Sequence, residues 1–148
     1  MGDRTGEGVR SATGYDLTPP DEAARAALVA GFSDEERRVI LRQGTEPPFC
    51  GGLLREKRPG VFTCRLCGLP LFRSDSKFES GSGWPSFFQP CDPEHVRSVR
   101  DLSHGMVRTE IRCRRCDGHL GHVFEDGPPP TGLRYCLNSV SLRFEPAG

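Results

Sequence analysis

The chain has 148 residues with 20 basic and 20 acidic side chains, for a formal net charge of zero. That length suits one domain with its own buried core, and the balanced charge leaves no electrostatic hold on nucleic acid or on an anionic membrane. No apolar run approaches the length of a membrane span. No basic cluster followed by an apolar core marks a signal peptide, so neither anchor nor secretion is expected.

Residues 1–20 are Gly, Ser, Thr, Pro and charge, and read as a flexible tail; a single domain is expected over 21–148. Asp21 to Ala30 is Ala-rich and predicts a short helix. Ser33-Asp34-Glu35-Glu36 has the capping-box form, with Gly44 as the stop of a second short helix. After Pro47-Pro48 short apolar stretches alternate with turn residues, as in Gly60–Thr63, Leu69–Phe72 and Met106–Ile111. The high Gly and Pro content, 18 and 13 residues, agrees with an antiparallel β domain.

Seven cysteines is an odd number, and four sit in two C-x-x-C pairs, which argues against a full disulfide framework and for a reducing, cytoplasmic setting with a metal site. Cys64-Arg65-Leu66-Cys67-Gly68 and Cys113-Arg114-Arg115-Cys116-Asp117-Gly118 are two hooks. In each, a two-residue spacer lets both sulfurs face one ion, and the following glycine permits the tight turn. Four thiolates close a tetrahedral sphere and leave no position for water or substrate. Structural zinc on Cys64, Cys67, Cys113 and Cys116 is the expectation.

The other chemical groups crowd between Gly118 and Asn138. Leu133 to Phe144 alternates with period two and reads as one strand, which places Arg134, Cys136, Asn138, Val140, Leu142 and Phe144 on one face. A cysteine with a cation two positions before it and an amide two positions after it has the surroundings of an activated thiol. His119 and His122 precede the Pro/Gly turn. If Gly118–Phe124 pairs with Leu133–Asn138, a one-residue change of register decides which histidine shares the face of Cys136, and a bulge would bring in both. Asp126 either orients a histidine or begins the turn. Arg108 and Glu110 alternate on one strand and suit an ion pair, while His104 reads as a turn histidine. Trp84, the only tryptophan, stands between glycines and Pro85 and reads as a wall presented by a loop.

Gly81 to Phe87 (G-x-G-W-P-S-F), Ser103 to Glu110 (S-H-G-M-V-R-T-E), the two hooks, Gly118 to Gly132 and Arg134 to Ser139 (R-Y-C-x-N-S) together resemble the methionine sulfoxide reductase B family, in order from about Ser33 to Phe144. The resemblance implies a mainly β fold of two antiparallel sheets with a structural zinc. It implies reduction of the R epimer of methionine sulfoxide in proteins, with thioredoxin as reductant and the enzyme a monomer. Cys136 matches the nucleophile, which would become a sulfenic acid. His122 matches the proton donor with His119 beside it; Arg134 would favour the thiolate, and Asn138 would position oxygen or thiolate. Trp84 would receive the S-methyl group, with Phe124 in the same wall. In many members a resolving cysteine precedes Gly-Trp-Pro, and here that position is Ser82. The resemblance then implies Cys50 as the resolving cysteine, ahead of Cys91. A zinc ribbon that only docks a partner would explain the hooks but nothing between Gly118 and Asn138. A disulfide oxidoreductase would need a C-x-x-C free of metal.

Overall fold

The computed structural model describes residues 10–147. Helix α1, Glu22–Val29, starts where the Asp21 carboxylate accepts from the Ala24 amide at 2.8 Å. Helix α2, Asp34–Glu36, carries the expected capping box: Ser33 Oγ accepts from the Glu36 amide at 3.1 Å, and the Glu36 carboxylate accepts from the Ser33 amide at 2.8 Å. The coil then widens into a π turn over Arg37–Leu41 that buries Val39 and Ile40. Gly44 is not its left-handed stop; Gln43 takes that conformation, with φ 58°. Gly44 is required for another reason, since a Cβ there would stand 2.8 Å from the Arg38 carbonyl oxygen, to which its amide donates.

Nine short strands follow: β1 Gly60–Cys64, β2 Pro70–Arg73, β3 Lys77–Phe78, β4 Ser86–Phe87, β5 Val96–Asp101, β6 Arg108–Cys113, β7 His119–Phe124, β8 Arg134–Leu137 and β9 Leu142–Pro146. They form two antiparallel sheets, one of three strands in the order β2-β1-β9 and one of six in the order β3-β4-β8-β7-β6-β5. The mainly β, two-sheet expectation with short N-terminal helices holds.

The sheets meet through aromatic rings. Phe62 of β1 lies edge-on to Phe87 of β4 at 5.0 Å, and Phe72 of β2 stacks on Phe87 at 4.6 Å; all three are fully buried. Each such ring contributes about 1.5–3 kcal/mol by removal of apolar area from water. The sheets therefore share one core, to which Leu69, Leu71, Ile111, Leu120 and Leu137 belong.

The single strand expected over 133–144 is two strands in different sheets. Chain direction changes at a 3₁₀ turn, Ser139–Ser141, because a buried carboxylate captures its amides: Glu46 accepts from Ser139 N at 2.8 Å and Val140 N at 3.0 Å. Cys136 thus belongs to β8 in the six-stranded sheet, while Leu142 and Phe144 belong to β9 in the other.

The expected tail also differs where it is described. Residues 1–9 lie outside the described residues, but Ser11 and Leu17 are buried. The Thr13 amide and hydroxyl donate to the Asp92 carboxylate at 3.1 and 2.9 Å, and Ser11 Oγ lies 2.8 Å from Nε2 of the buried His95. Polar composition alone reads as tail; specific partners nearly eighty residues on hold this part of it.

Candidate active site and metal centre

The two cysteine hooks come from different sheets. Cys64 and Cys67 bracket the turn after β1, and Cys113 and Cys116 bracket the turn after β6. Each turn closes on itself, with Gly68 N donating to Cys64 O at 2.9 Å and Asp117 N to Cys113 O at 2.8 Å; Gly68 takes the left-handed conformation in the first as expected, but in the second Asp117, with φ 64°, takes it in place of Gly118. Cys64 and Cys116 sulfurs are 3.5 Å apart, as are those of Cys67 and Cys113, and all four lie within 4.8 Å of one another. A tetrahedron of thiolates around zinc has edges of about 3.8 Å, so the donor set and its spacing fit a four-cysteine metal ion. Among the described residues this is the only such cluster. An ion here would join the two sheets next to the aromatic core, since Cys64 ends the strand that carries Phe62.

The reactive groups line a cavity of about 280 Å³. Its floor is the β7–β8 pair. Gly121 lets these strands approach, since a Cβ there would collide with the Cys136 carbonyl. Register then pairs His122 directly with Cys136, so their side chains leave the sheet on the same face. A bulge on β7 opposite Ile111 and Arg112 adds one residue, Leu120. That extra residue reverses the face of what precedes it, and the His119 ring comes to lie 5.6 Å from the His122 ring. Both histidines are thus brought together, with His122 on the same sheet face as Cys136.

Each imidazole is held by a carboxylate. His122 Nε2 lies 2.8 Å from Asp101 Oδ2, and His119 Nδ1 lies 2.7 Å from Glu110 Oε2. Hydrogen bonds from the Ser103 hydroxyl and amide, with His122, hold the Asp101 carboxyl well below the usual carboxylate range, so it accepts and the His122 proton on this side sits on Nε2. Burial pushes the His119 imidazole down, against the opposing pull of Glu110. His119 Nε2 has no hydrogen-bond partner among the described residues, and a second, polar cavity of about 250 Å³ lies along His119 and His122.

Cys136 is half-buried, and burial pushes its thiol up; a hydrogen bond from Ser82, the Arg134 charge and Ser86 pull it back down. Arg134 is shared. Its guanidinium lies 4.5 Å over the Phe124 ring and donates to the Asp126 carboxylate at 2.9 and 3.1 Å. Asp126 therefore anchors Arg134 and orients neither histidine; that task falls to Asp101 and Glu110. The expected Arg108–Glu110 pair is replaced as well, because Arg108 binds Asp101 at 3.2 Å and Glu110 binds Arg112 at 2.9 Å. The His104 side chain lies outside what is described. Asn138 lines the cavity, but its Oδ1 accepts from Glu46 N at 2.9 Å and its Nδ2 donates to Leu120 O at 3.1 Å, so it braces the site.

Trp84 stands opposite, its indole Nε1 donating to Glu46 O at 2.9 Å. Phe49 N donates to Gly83 O at 2.7 Å, so the turn that carries the exposed Cys50 rides on the Trp84 loop. Cys91 sits elsewhere, its sulfur 3.7 Å from His95 Nδ1. Asp101 and Glu46 are the site residues that sequence reasoning missed. Asp101-Leu102-Ser103 has the form of a local turn, with nothing to announce a histidine partner. The partners of the Glu46 amide and carboxylate lie 92–94 residues away.

Among known proteins, the SelR domain model matches residues 32–146. The chain is 65% identical over 138 residues to the peptide methionine sulfoxide reductase MsrB of Caulobacter vibrioides (strain NA1000 / CB15N), covering 93% of this chain and 87% of that one. It is 61% identical over 134 residues to the protein of the same name from Xylella fastidiosa (strain M23), covering 90% and 86%. Motifs, the pairing of histidine with thiol and these identities agree: the chain belongs to the SelR-domain family, methionine sulfoxide reductase B.

Proposed function

We propose that this protein, as a member of that family a peptide-methionine (R)-S-oxide reductase, reduces methionine sulfoxide in oxidised proteins by attack of the Cys136 thiolate on the sulfoxide sulfur. The carrying observation is the direct pairing of His122 with Cys136 beneath Trp84. His122 gives a proton to the sulfoxide oxygen as the bond from Cys136 to the substrate sulfur forms; the oxygen then passes to the Cys136 sulfur as that sulfur–sulfur bond and the substrate's sulfur–oxygen bond break. Thiolate, sulfoxide and one proton become a Cys136 sulfenic acid and methionine. Trp84 and Phe124 take the S-methyl group between aromatic faces, Arg134 favours the thiolate by charge, and His119 supports His122 from behind.

The Cys50 thiol then attacks the Cys136 sulfenic sulfur, water leaves, and a disulfide remains for thioredoxin to reduce by thiol exchange. The docking of the Phe49 turn on the Gly83–Trp84 loop supports Cys50 over Cys91. Zinc on Cys64, Cys67, Cys113 and Cys116 is structural, and its thiolates suit a reducing, cytoplasmic compartment.

The test is turnover of separate R and S sulfoxide peptides with thioredoxin by wild type, Cys136→Ser, Cys50→Ser and Cys91→Ser. The expected result is R preference, no reduction by Cys136→Ser, and a single turnover without recycling by Cys50→Ser alone. Preference for S, or retained activity in Cys136→Ser, overturns the reaction. Undiminished recycling by Cys50→Ser removes Cys50 from it.

A further inference from the structure

The mechanism above leaves three serine hydroxyls unused against the reacting sulfur. Ser82 Oγ lies 3.5 Å from Cys136 Sγ and 2.8 Å from Ser80 Oγ, and Ser80 Oγ lies 2.6 Å from Ser86 Oγ. Ser86 is buried, is the direct β4 partner of Cys136, and donates to the Trp84 carbonyl at 3.1 Å. Sulfur, three hydroxyls and one carbonyl therefore form a continuous chain: Cys136, Ser82, Ser80, Ser86, Trp84 O.

A chain of this kind closes in two directions. With a protonated thiol, each group donates away from the sulfur: Cys136 S–H to Ser82, Ser82 to Ser80, Ser80 to Ser86 and Ser86 to the Trp84 carbonyl. With a thiolate, which only accepts, the three O–H bonds turn the other way: Ser86 to Ser80, Ser80 to Ser82 and Ser82 to the sulfur. Each hydroxyl is both donor and acceptor, so rotation alone makes the change and no buried hydroxyl is left without a partner. Hydrogen bonds in such a chain polarise one another, and the bond to an ionised acceptor is the strongest.

We infer that Ser80, Ser82 and Ser86 form a reversible hydroxyl chain that stabilises the Cys136 thiolate, with Ser82 as the chain's donor to the reacting sulfur and Ser80 as the positioning residue that links it to Ser86. Ser82 makes no covalent bond and loses no proton. The chain also offsets the burial that pushes the thiol up, in a site where the Arg134 charge is shared with Asp126. The role assigned to Cys136 rests on the reaction proposed above; the chain itself can be measured without turnover.

The experiment follows alkylation of Cys136 by iodoacetamide against pH in the zinc-loaded full chain, read by mass mapping of the peptide that carries Cys136. Ser82→Ala is expected to raise the pH midpoint and slow alkylation at neutral pH by about tenfold, equivalent to one pKa unit. Ser82→Thr keeps a hydroxyl and is expected to restore wild-type reactivity, while Ser80→Ala shifts the midpoint in the same direction by less. A wild-type midpoint in Ser82→Ala, or Ser82→Thr behaving as Ser82→Ala, overturns Ser82 as donor. A wild-type midpoint in Ser80→Ala, which leaves the Ser82 and Ser86 hydroxyls in place, overturns the chain. Retained sulfoxide reduction by Cys136→Ser would instead remove the reaction while these titrations still report the hydroxyls.

Discussion

His122 of β7 and Cys136 of β8 are direct cross-strand partners, so the proposed acid and nucleophile are set by strand register and need no loop to bring them together. Replacing His122 by Ala is expected to lower the single-turnover rate on an R sulfoxide peptide by about 10²–10⁴-fold, the range for a positioned general acid. Alkylation of Cys136 under the same conditions should change little. An unimpaired single-turnover rate would exclude His122 as the donor.

Asp101 lies behind His122, to which it is joined at 2.8 Å, and it is itself held by the Ser103 amide at 2.9 Å and Arg108 at 3.2 Å. Asp101→Asn keeps the shape and removes the charge that steadies a protonated ring. We expect kcat to fall by about 10–100-fold, as for other partners that orient a reacting histidine, with KM nearly unchanged. A rise in KM at constant kcat would instead make Asp101 part of substrate binding.

Burial holds His119 below the usual imidazole range, against Glu110. The unfolded chain then takes up a proton more readily than the folded one. Stability from the neutral, buried ring is therefore present above the unfolded value of about 6.5 and is lost as pH falls through the lower folded value. Thermal unfolding of the wild type between about pH 7 and pH 5 should show a decline that His119→Gln, which does not titrate, lacks in part. Identical pH profiles for the two proteins would rule out His119 as the source.

Metal analysis is expected to find one zinc per chain. The four cysteines join a turn of the three-stranded sheet to a turn of the six-stranded sheet, so loss of the ion separates elements far apart in sequence. Chelation or Cys113→Ser should lower Tm far more than Cys91→Ser does, in circular dichroism melts. An unchanged Tm after complete metal removal would mean that packing alone holds the sheets.

What could be read in advance was whatever is encoded by short spacing. The C-x-x-C hooks and the Ser33–Glu36 capping box each depend on residues a few positions apart, and each stands where expected. The break between β8 and β9 was not legible, because period-two alternation continues through Asn138 while the force that turns the chain is the Glu46 carboxylate, distant in sequence and close only after folding. Docking of residues 10–18 on Asp92 and His95 escaped for the same reason.

The sequence by itself determined which groups are available: three thiols outside the metal hooks, one of them two positions from an arginine, two histidines three residues apart, one tryptophan, and a serine two positions before it. Tertiary structure alone decided how they meet. Register set His122 against Cys136, a single-residue bulge turned His119 to the same side, and Asp101 and Glu110 supplied the carboxylates. The physical reason is that side-chain direction in a sheet reverses with every residue, so one inserted residue on β7 changes which histidine faces which partner while leaving the local sequence pattern intact.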